Sequence, residues 1–232
     1  MKAAAYAGTR NLYEGMVTAV KSLLMHSDVD KVYLLIEDDD FPYPMPECVE
    51  AINVSGQTLF WHNSPNFNRK WTWMVLMKVA MSKVLPEDLD RVLVLDIDTI
   101  VVGDISELWD VPLGDNYFAG AIEPLKSEIG TYINMGVSVQ NLQKLRDGKD
   151  DEIIYALNRR PYIFSEQDCI ADVCRGHILP ISSRYNACDF TEPTTEPLIV
   201  HFAFNNNWQR EPLVKEYRDI PWSEVRGGLC LT

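Results

Sequence analysis

The sequence contains few basic residues, few cysteines and no long apolar run, and each shortage excludes a class of protein. Lys and Arg number 21 in the 232-residue chain against 34 Asp and Glu, so the formal net charge is −13 at pH 7. A protein that coats nucleic acid or an anionic membrane needs a basic surface, so this charge argues against both functions. A phosphate-bearing ligand remains compatible with the charge if a divalent cation supplies local positive charge.

The cysteines and the apolar runs narrow the class further. Cysteines stand at positions 48, 169, 174, 188 and 230, an odd number without zinc-finger spacing, which argues against a disulfide framework and favours a reducing compartment. The apolar stretch over residues 3–7 is shorter than the core of a signal peptide, and no other run is long enough to cross a bilayer. We therefore expect a cytoplasmic protein without a transmembrane segment, with peripheral attachment to a membrane as the alternative.

Short apolar runs alternate with helical patterns along the chain. Hydrophobic residues make up 47% and charged residues 24%, which is ordinary for a globular domain and excludes a disordered or fibrous chain. We expect strands over residues 2–7, 31–36, 52–54, 91–95, 135–139 and 197–202, and helices over 13–25, 71–85 and 166–173. This alternation predicts one α/β domain over residues 1–232, with a mostly parallel central sheet flanked by helices and a smaller mixed region after residue 130.

Two acidic residues follow the clearest strand. The run over residues 92–95, Val-Leu-Val-Leu, lacks polar alternation, as is typical of a strand buried on both faces. Asp96 and Asp98 come next, and side chains two apart on an extended chain point to the same side. Their carboxylates would converge at the carboxyl end of the strand, where a divalent cation relieves their repulsion. The alternative to a metal site is that the two acids lie at a solvated strand end. We expect the other acidic run, residues 37–40, to be a solvated loop rather than a second metal site.

Two enzyme classes carry an acidic pair in this position. Phosphatases of the haloacid dehalogenase type have Asp-x-Asp-x-Thr after a buried strand, which Asp96-Ile97-Asp98-Thr99 loosely matches. Their pair usually lies on the first strand, however, and the later Gly114-Asp115 follows too closely to be their second acidic element. In nucleotide-sugar glycosyltransferases, the pair binds a metal ion that bridges the donor diphosphate. The acidic pair alone leaves both classes open.

A series of motifs decides between the two classes. In chain order they are Ala7-Gly8-Thr9-Arg10-Asn11, Leu95-Asp96-Ile97-Asp98-Thr99, Asp104-Ile105-Ser106-Glu107-Leu108-Trp109, Ile133-Asn134-Met135-Gly136, Ser165-Glu166-Gln167-Asp168 and Val200-His201-Phe202. The ordered set resembles the family 8 retaining glycosyltransferases, which include bacterial lipopolysaccharide galactosyl- and glucosyltransferases and glycogenin. The resemblance covers most of the chain and implies a GT-A-like fold, with a nucleotide-binding half over residues 1–110 and a sugar and acceptor half over residues 111–232.

The resemblance also implies a metal site and a donor site. In the family, an acidic pair and a late histidine hold manganese, and the corresponding residues here are Asp96, Asp98 and His201. Mg²⁺ is the alternative ion. Without the resemblance, a histidine at the end of an apolar run, such as His201, would more often be a core residue. The implied nucleotide and donor contacts are Ala7, Gly8, Thr9, Asn11, Lys78, Ile97 and Asn134. Without the resemblance, residues 7–11 would indicate an ordinary strand-to-helix turn, and Lys78 a solvated helical lysine.

The catalytic residues implied by the resemblance are Gln167, Glu166 and Asp168. In the family, the glutamine lies beneath the anomeric carbon and the flanking acids bind sugar hydroxyls. Without the resemblance, the same residues would indicate a helix N-terminus capped by Ser165. We expect front-side attack by the acceptor hydroxyl, with double displacement through Glu166 or Asp168 as the alternative route.

The chain departs from the family pattern after His201. The family usually has a Gly and then a Lys that grips the diphosphate, whereas this chain continues Phe202-Ala203-Phe204-Asn205-Asn206-Asn207-Trp208. This departure has three alternative consequences: Arg210 replaces the lysine, donor binding is weaker, or activity is lost.

The function expected from the sequence is that of a metal-dependent retaining enzyme, which transfers a hexose from a UDP-sugar to a hydroxyl of a glycan or glycoconjugate. The alternative is a non-catalytic module that binds a nucleotide sugar or a glycan.

Overall fold

Seven strands form the central sheet, and two more form a small second sheet. The computed structural model describes residues 1–68 and 71–225, so the last residues of the predicted domain and Cys230 lie outside the described part. The strands are β1 (Ala3–Ala7), β2 (Lys31–Ile36), β3 (Val49–Asn53), β4 (Arg91–Leu95), β5 (Thr99–Val101), β6 (Phe118–Ile122), β7 (Ile133–Asn141), β8 (Ile178–Ile181) and β9 (Ile199–His201). The central order is β3-β2-β1-β4-β7-β6-β8, and β5 pairs with β9.

Most neighbouring strands of the central sheet are parallel. The β3–β2, β2–β1, β1–β4 and β6–β8 pairs run parallel, whereas β7 runs antiparallel to both β4 and β6. The prediction of a mostly parallel sheet is therefore confirmed. The third strand begins earlier than predicted, at Val49 instead of residue 52.

Helices lie on both faces of the sheet. They are α1 (Tyr13–His26), α2 (Met74–Met77), α3 (Met81–Val84), α4 (Leu142–Lys144), α5 (Asp150–Arg159), α6 (Ser165–Val173) and α7 (Pro212–Asp219). Short 3₁₀ helices span Arg10–Leu12, Ser106–Asp110, Pro124–Ile129, Ser183–Tyr185, Trp208–Arg210 and Trp222–Glu224, and a π-helical turn spans Leu145–Lys149.

Two hydrophobic cores, one on each face, explain the apolar strands. Alternate residues of β4 point to opposite sides, so Leu93 joins the core beneath α1 and α7, whereas Val94 joins the core beneath α2, α3, α5 and α6. Because each face is covered, the strand has no polar residue after Arg91. This is the physical basis of the run Val-Leu-Val-Leu at residues 92–95.

The helix predicted over residues 71–85 is wrong in its length, because the segment is divided into α2 and α3. A continuous helix would pair the carbonyl of Lys78 with the amide of Ser82. Instead, Gln140 Nε2 on β7 donates to that carbonyl at 2.8 Å, and Ala80 leaves helical geometry at φ −108° and ψ 15°. The break leaves Lys78 buried at the edge of the sheet.

Length and apolar character together decide whether a helix can cross a bilayer. No helix within residues 1–68 and 71–225 has both the length and the apolar character needed.

Four of the five cysteines lie in the described part, at positions 48, 169, 174 and 188, and all four are free thiols.

Candidate active site

The pairing of the two short strands brings a histidine to the acidic pair. Thr99 at the start of β5 lies opposite His201 at the end of β9, and Phe202 N donates to Asp98 O at 2.9 Å. His201 Nε2 is consequently 3.3 Å from Asp98 Oδ1 and 3.8 Å from Asp96 Oδ2. One ligand atom from each of these three residues lies within 4.8 Å of the others.

Polar neighbours and a glycine fix the orientation of the imidazole. Asn186, which is fully buried, places its Oδ1 2.8 Å from His201 Nδ1, so the other ring nitrogen faces the acids. The same amide donates to Asn134 Oδ1 at 2.9 Å. The ring also lies against Gly136, where a Cβ atom would come within 2.1 Å of His201 Cε1. The glycine of the Ile-Asn-Met-Gly motif is therefore explained by the close approach of the histidine.

Histidine and acid stabilise one another's charge. Burial by itself lowers the pKa of His201, but Asp98 and Asp96 outweigh this effect and raise the pKa to about 10. Burial by itself raises the pKa of Asp98, and the charges of His201 and Lys78 hold that pKa below its usual value. In the metal-free protein the imidazole is therefore positively charged, and a metal ion would take the place of the proton on Nε2.

A buried lysine lies between two carboxylates at the same place. Lys78 Nζ is 2.5 Å from Asp96 Oδ1 and 3.4 Å from Glu166 Oε1. Burial lowers the pKa of Lys78, but the two acids together hold it above its usual value, and burial raises the pKa of Glu166. The Oε2 atom of Glu166 is buried and has no hydrogen-bond partner in the described part of the chain. Such an atom is expected to be satisfied by a ligand.

The donor set at the acidic pair suits a divalent cation that prefers oxygen with one imidazole. Lys78 occupies one oxygen of Asp96 and leaves Oδ2 facing His201. No thiolate belongs to the group, so Mn²⁺ and Mg²⁺ fit better than ions that prefer sulfur. The acidic run at residues 37–40 has no part in this donor set, and its Asp38 accepts hydrogen bonds from Arg10 and Tyr13.

A cavity of about 490 Å³ opens over this group and is lined by most of the predicted site residues. Those residues are Ala7, Gly8, Thr9, Asn11, Lys78, Asp96, Ile97, Asp98, Asn134, Glu166, Gln167 and His201. Gly8 packs directly against the side chain of Ile97, whose Cδ1 would have to move to admit a Cβ atom at position 8. The first strand-to-helix loop and the metal-ligand group therefore share one cavity.

Asp168 is the predicted site residue that does not line the cavity. Its carboxylate accepts hydrogen bonds from Tyr132 Oη and from Phe164 N, the latter at 2.9 Å. Asp168 thus closes the turn that precedes α6 and leaves Glu166 and Gln167 facing the cavity.

Glu123 is a cavity residue that our sequence analysis did not identify. It is buried, and its Oε1 accepts hydrogen bonds from Asn134 Nδ2 at 2.7 Å and from Gln167 Nε2 at 2.8 Å. Gln167 Oε1 in turn accepts from Met135 N at 3.1 Å. A signal existed in the sequence, because Glu123 directly follows the apolar strand β6 as Asp96 follows β4.

The segment after His201 contributes the aromatic side chains of Phe204 and Trp208 to the cavity instead of a cation. Phe204 lines the cavity, whereas Asn205, Asn206, Asn207 and Arg210 do not. Arg210 is exposed. Lysines that line the cavity within residues 1–68 and 71–225 are Lys78 and Lys126. Lys126, which our sequence analysis also missed, pairs with Glu123 at 3.2 Å.

Sequence comparison relates the chain to known enzymes. The model of the family described as glycosyl transferase family 8 matches residues 4–206. The glycosyltransferase GlyE of Streptococcus pneumoniae is 28% identical over 248 aligned positions, which cover 98% of this chain and 58% of GlyE. Human LARGE1, a xylosyl- and glucuronyltransferase, is 30% identical over 110 positions, which cover 44% of this chain and 15% of LARGE1.

Comparison of folds gives the same group of proteins. The crystal structure of GlyE superposes with a TM-score of 0.72 at 22% identity, covering 97% of this chain and 62% of GlyE. The structure of the galactosyltransferase LgtC in complex with donor and acceptor sugar analogs superposes with a TM-score of 0.66 at 19% identity, covering 95% of this chain and 98% of LgtC. The chain thus spans about three fifths of GlyE and nearly all of LgtC.

Proposed function

The chain belongs to glycosyltransferase family 8 and has the GT-A fold, and from this premise we propose that it is a metal-dependent retaining glycosyltransferase. It would transfer a hexose from a UDP-sugar to a hydroxyl of a glycan or glycoconjugate. The observation that carries the proposal is the convergence of Asp96, Asp98 and His201 in the cavity that also contains the first strand-to-helix loop. Family membership sets aside the haloacid dehalogenase type of phosphatase.

The relatives support a sugar donor and a sugar acceptor without fixing the sugar. LgtC binds donor and acceptor sugar analogs, and LARGE1 is named for xylosyl and glucuronyl transfer. A hexose is our proposal for the donor of this chain. The net charge of −13 agrees with a diphosphate ligand only because a cation and the lysines of the cavity supply positive charge locally.

We propose that residues 1–232 act as one domain, with residues 1–110 binding the nucleotide and residues 111–232 binding sugar and acceptor. Two contacts across the boundary between the halves support their acting as one domain. Strand β4 pairs with β7 across the boundary, and Lys78 contacts Glu166. The two halves would therefore form the site only together.

Each residue of the site has a role in this proposal that follows from its position. Asp96, Asp98 and His201 would hold Mn²⁺ or Mg²⁺, which supplies positive charge against the donor diphosphate when it is bound. Ala7, Gly8, Thr9 and Asn11 face the nucleotide, with Ile97 packed behind Gly8. The unpaired Oε2 of Glu166 accepts a hydrogen bond from a sugar hydroxyl, and the remaining N–H of Asn134 donates to another.

Front-side attack fits the carboxylates of the cavity better than double displacement. In the proposed step, the acceptor oxygen forms a bond to the anomeric carbon while the bond to the phosphate oxygen breaks, and that oxygen takes the acceptor proton. Gln167, held by Glu123 and Met135, presents its amide dipole to the positive charge that develops on the sugar. A double displacement would use Glu166, which Lys78 already binds, or Asp168, which does not line the cavity.

Turnover of UDP-glucose and UDP-galactose with Mn²⁺ tests the proposal. We expect the wild-type chain to release UDP slowly to water, and Asp98→Asn to lower this rate at least about 100-fold because one metal ligand loses its charge. Release of UDP is measured with a coupled assay, with EDTA as the metal-free reference.

An exposed aspartate provides the matched control. Asp88→Asn makes the same chemical change at an exposed position, and its rate is expected to equal that of the wild type. Equal rates for Asp98→Asn and wild type would refute the metal role. Absence of turnover with both donors in the wild type would instead favour the non-catalytic binding module.

A further inference from the structure

Four of the aromatic side chains that line the cavity, Trp71, Phe164, Phe190 and Phe204, lie close to one another, and we call them the aromatic platform. The ring of Phe204 lies at the centre, with its centroid 5.7 Å from that of Trp71, 6.2 Å from that of Phe164 and 5.0 Å from that of Phe190. Trp71 and Phe164 are themselves 6.0 Å apart. The rings therefore form one aromatic cluster in the wall of the cavity.

Phe204 keeps its position at a cost in backbone conformation. Its φ of 63° lies in the left-handed region, which a bulky side chain rarely adopts. Phe204 is 48% exposed while its ring packs against the other three rings of the platform. A strained and exposed aromatic residue three positions after His201 indicates a binding role for the ring.

Polar groups border the platform and limit what can occupy it. Lys126 Nζ lies 3.4 Å from the centroid of Phe164 and pairs with Glu123. Phe164 directly precedes the first turn of α6, which carries Glu166 and Gln167, so carboxylates and an amide face the same space. An occupant must therefore offer one apolar face together with hydroxyl groups at its edge, which a pyranose ring does and an alkyl chain does not.

We propose that the aromatic platform is the acceptor subsite, and that it takes a pyranose residue of a glycan whose C–H face stacks on Phe204. The inference rests on the proposed function, since it places the acceptor beside the donor cavity. The polar edge of the sugar would then point to Glu123, Lys126 and Gln167. The substrate class is a carbohydrate acceptor and not a lipid.

Saturation-transfer NMR with simple saccharides tests this subsite directly. The probes are methyl β-D-glucopyranoside, methyl β-D-galactopyranoside, lactose and octyl β-D-glucopyranoside below its micelle concentration, each with the full chain. We expect transfer to the ring C–H protons of at least one probe, with affinity reduced about tenfold in Phe204→Gly and retained in Phe204→Tyr. Glycine accepts the backbone conformation at position 204, so this variant is expected to fold, as circular dichroism will verify.

Tyr155→Ala is the matched control, because Tyr155 is an exposed aromatic residue outside the cavity. Absence of ring-proton transfer for all four probes, or equal transfer in Phe204→Gly, overturns the inference. Transfer confined to the octyl protons would identify a lipid site, and transfer to the uracil protons of added UDP that depends on Phe204 would identify a nucleotide site; each also overturns it. The donor-hydrolysis assay uses no acceptor, so failure of the proposed function is seen separately.

Discussion

At the scale of single residues, Gly136 sets the position of the imidazole. A Cβ atom there would lie 2.1 Å from His201 Cε1, 2.5 Å from Nδ1 and 2.9 Å from Asn134 Oδ1. These separations are well inside van der Waals contact, so the ring would have to move. Moving the ring breaks its hydrogen bond to Asn186 and turns Nε2 away from the two acids.

We expect Gly136→Ala to lower both the affinity for Mn²⁺ and the turnover of UDP-hexose by about 10- to 100-fold, because partners that orient a metal ligand contribute this much. Calorimetric titration with Mn²⁺ measures the affinity. Gly56→Ala is the control, since a Cβ atom at position 56 meets nothing within 4 Å. Unchanged Mn²⁺ affinity in Gly136→Ala would contradict the account.

Residues of the site differ in how well a sequence can reveal them. Asp96 and Asp98 were predictable because the evidence is local, an apolar strand followed by two acids with spacing of two. Glu123 also follows an apolar strand, β6, but it is a single acid followed by Pro124 and Leu125, so it lacks the paired spacing that marks Asp96 and Asp98. Asn186 lies in an irregular segment without periodicity, and its contact with His201 comes from an isolated bridge between Ala187 and Val200 that no sequence pattern indicates.

At the scale of elements, hydrophobic patterning predicted a mostly parallel sheet and several of its strands and helices, but it did not predict β6, β8 or α5, the break between α2 and α3, or the direction of β7. Strands β2 and β4 have the predicted bounds, since hydrophobic patterning encodes them directly. The break between α2 and α3 arises from Gln140, which lies on β7 and is distant in sequence from Lys78. The antiparallel direction of β7 has no signature in its own apolar pattern, because alternation is the same in both directions.

Arg146 holds together the segment that leads into β4. Its guanidinium donates hydrogen bonds to five backbone carbonyls, those of Ser82, Leu85, Pro86, Glu87 and Leu89. Several of these carbonyls follow α3 and have no helical partner. The planar, five-donor head group of arginine suits this task, and an ammonium group cannot reach all five acceptors.

We expect Arg146→Lys to reduce the free energy of unfolding by about 2 kcal/mol, because carbonyls lose their donors. Urea denaturation followed by circular dichroism measures the change. The exposed Arg159→Lys serves as control and is expected to shift stability by less than about 0.5 kcal/mol. Equal midpoints for the two variants would show that the arginine has no special structural role.

At the scale of the whole molecule, the proposed metal ion links the two halves. Its candidate ligands come from the loop after β4 and from the end of β9, so an ion that binds them binds only the folded chain. A ligand of this kind stabilises the native state by mass action. The separation of the ligands in the sequence therefore makes heat stability a readout of metal binding.

We expect Mn²⁺ at about 100 times its Kd to stabilise the native chain by about 2.7 kcal/mol and to raise Tm by about 5 to 10 °C. Scanning calorimetry with and without the ion measures the shift. Asp98→Asn is expected to lose the shift, and the exposed Asp88→Asn to keep it. A full shift in Asp98→Asn would place the ion elsewhere.

The order of the strands has a consequence for biosynthesis. Synthesis proceeds from the N-terminus, so β1, β2 and β4 leave the ribosome well before β9. A nascent chain that has emerged as far as residue 190 contains Lys78, Asp96 and Asp98 but not His201. The site can therefore take its folded form, in which Lys78 contacts Asp96 and His201 faces both acids, only after residue 201 has been synthesised.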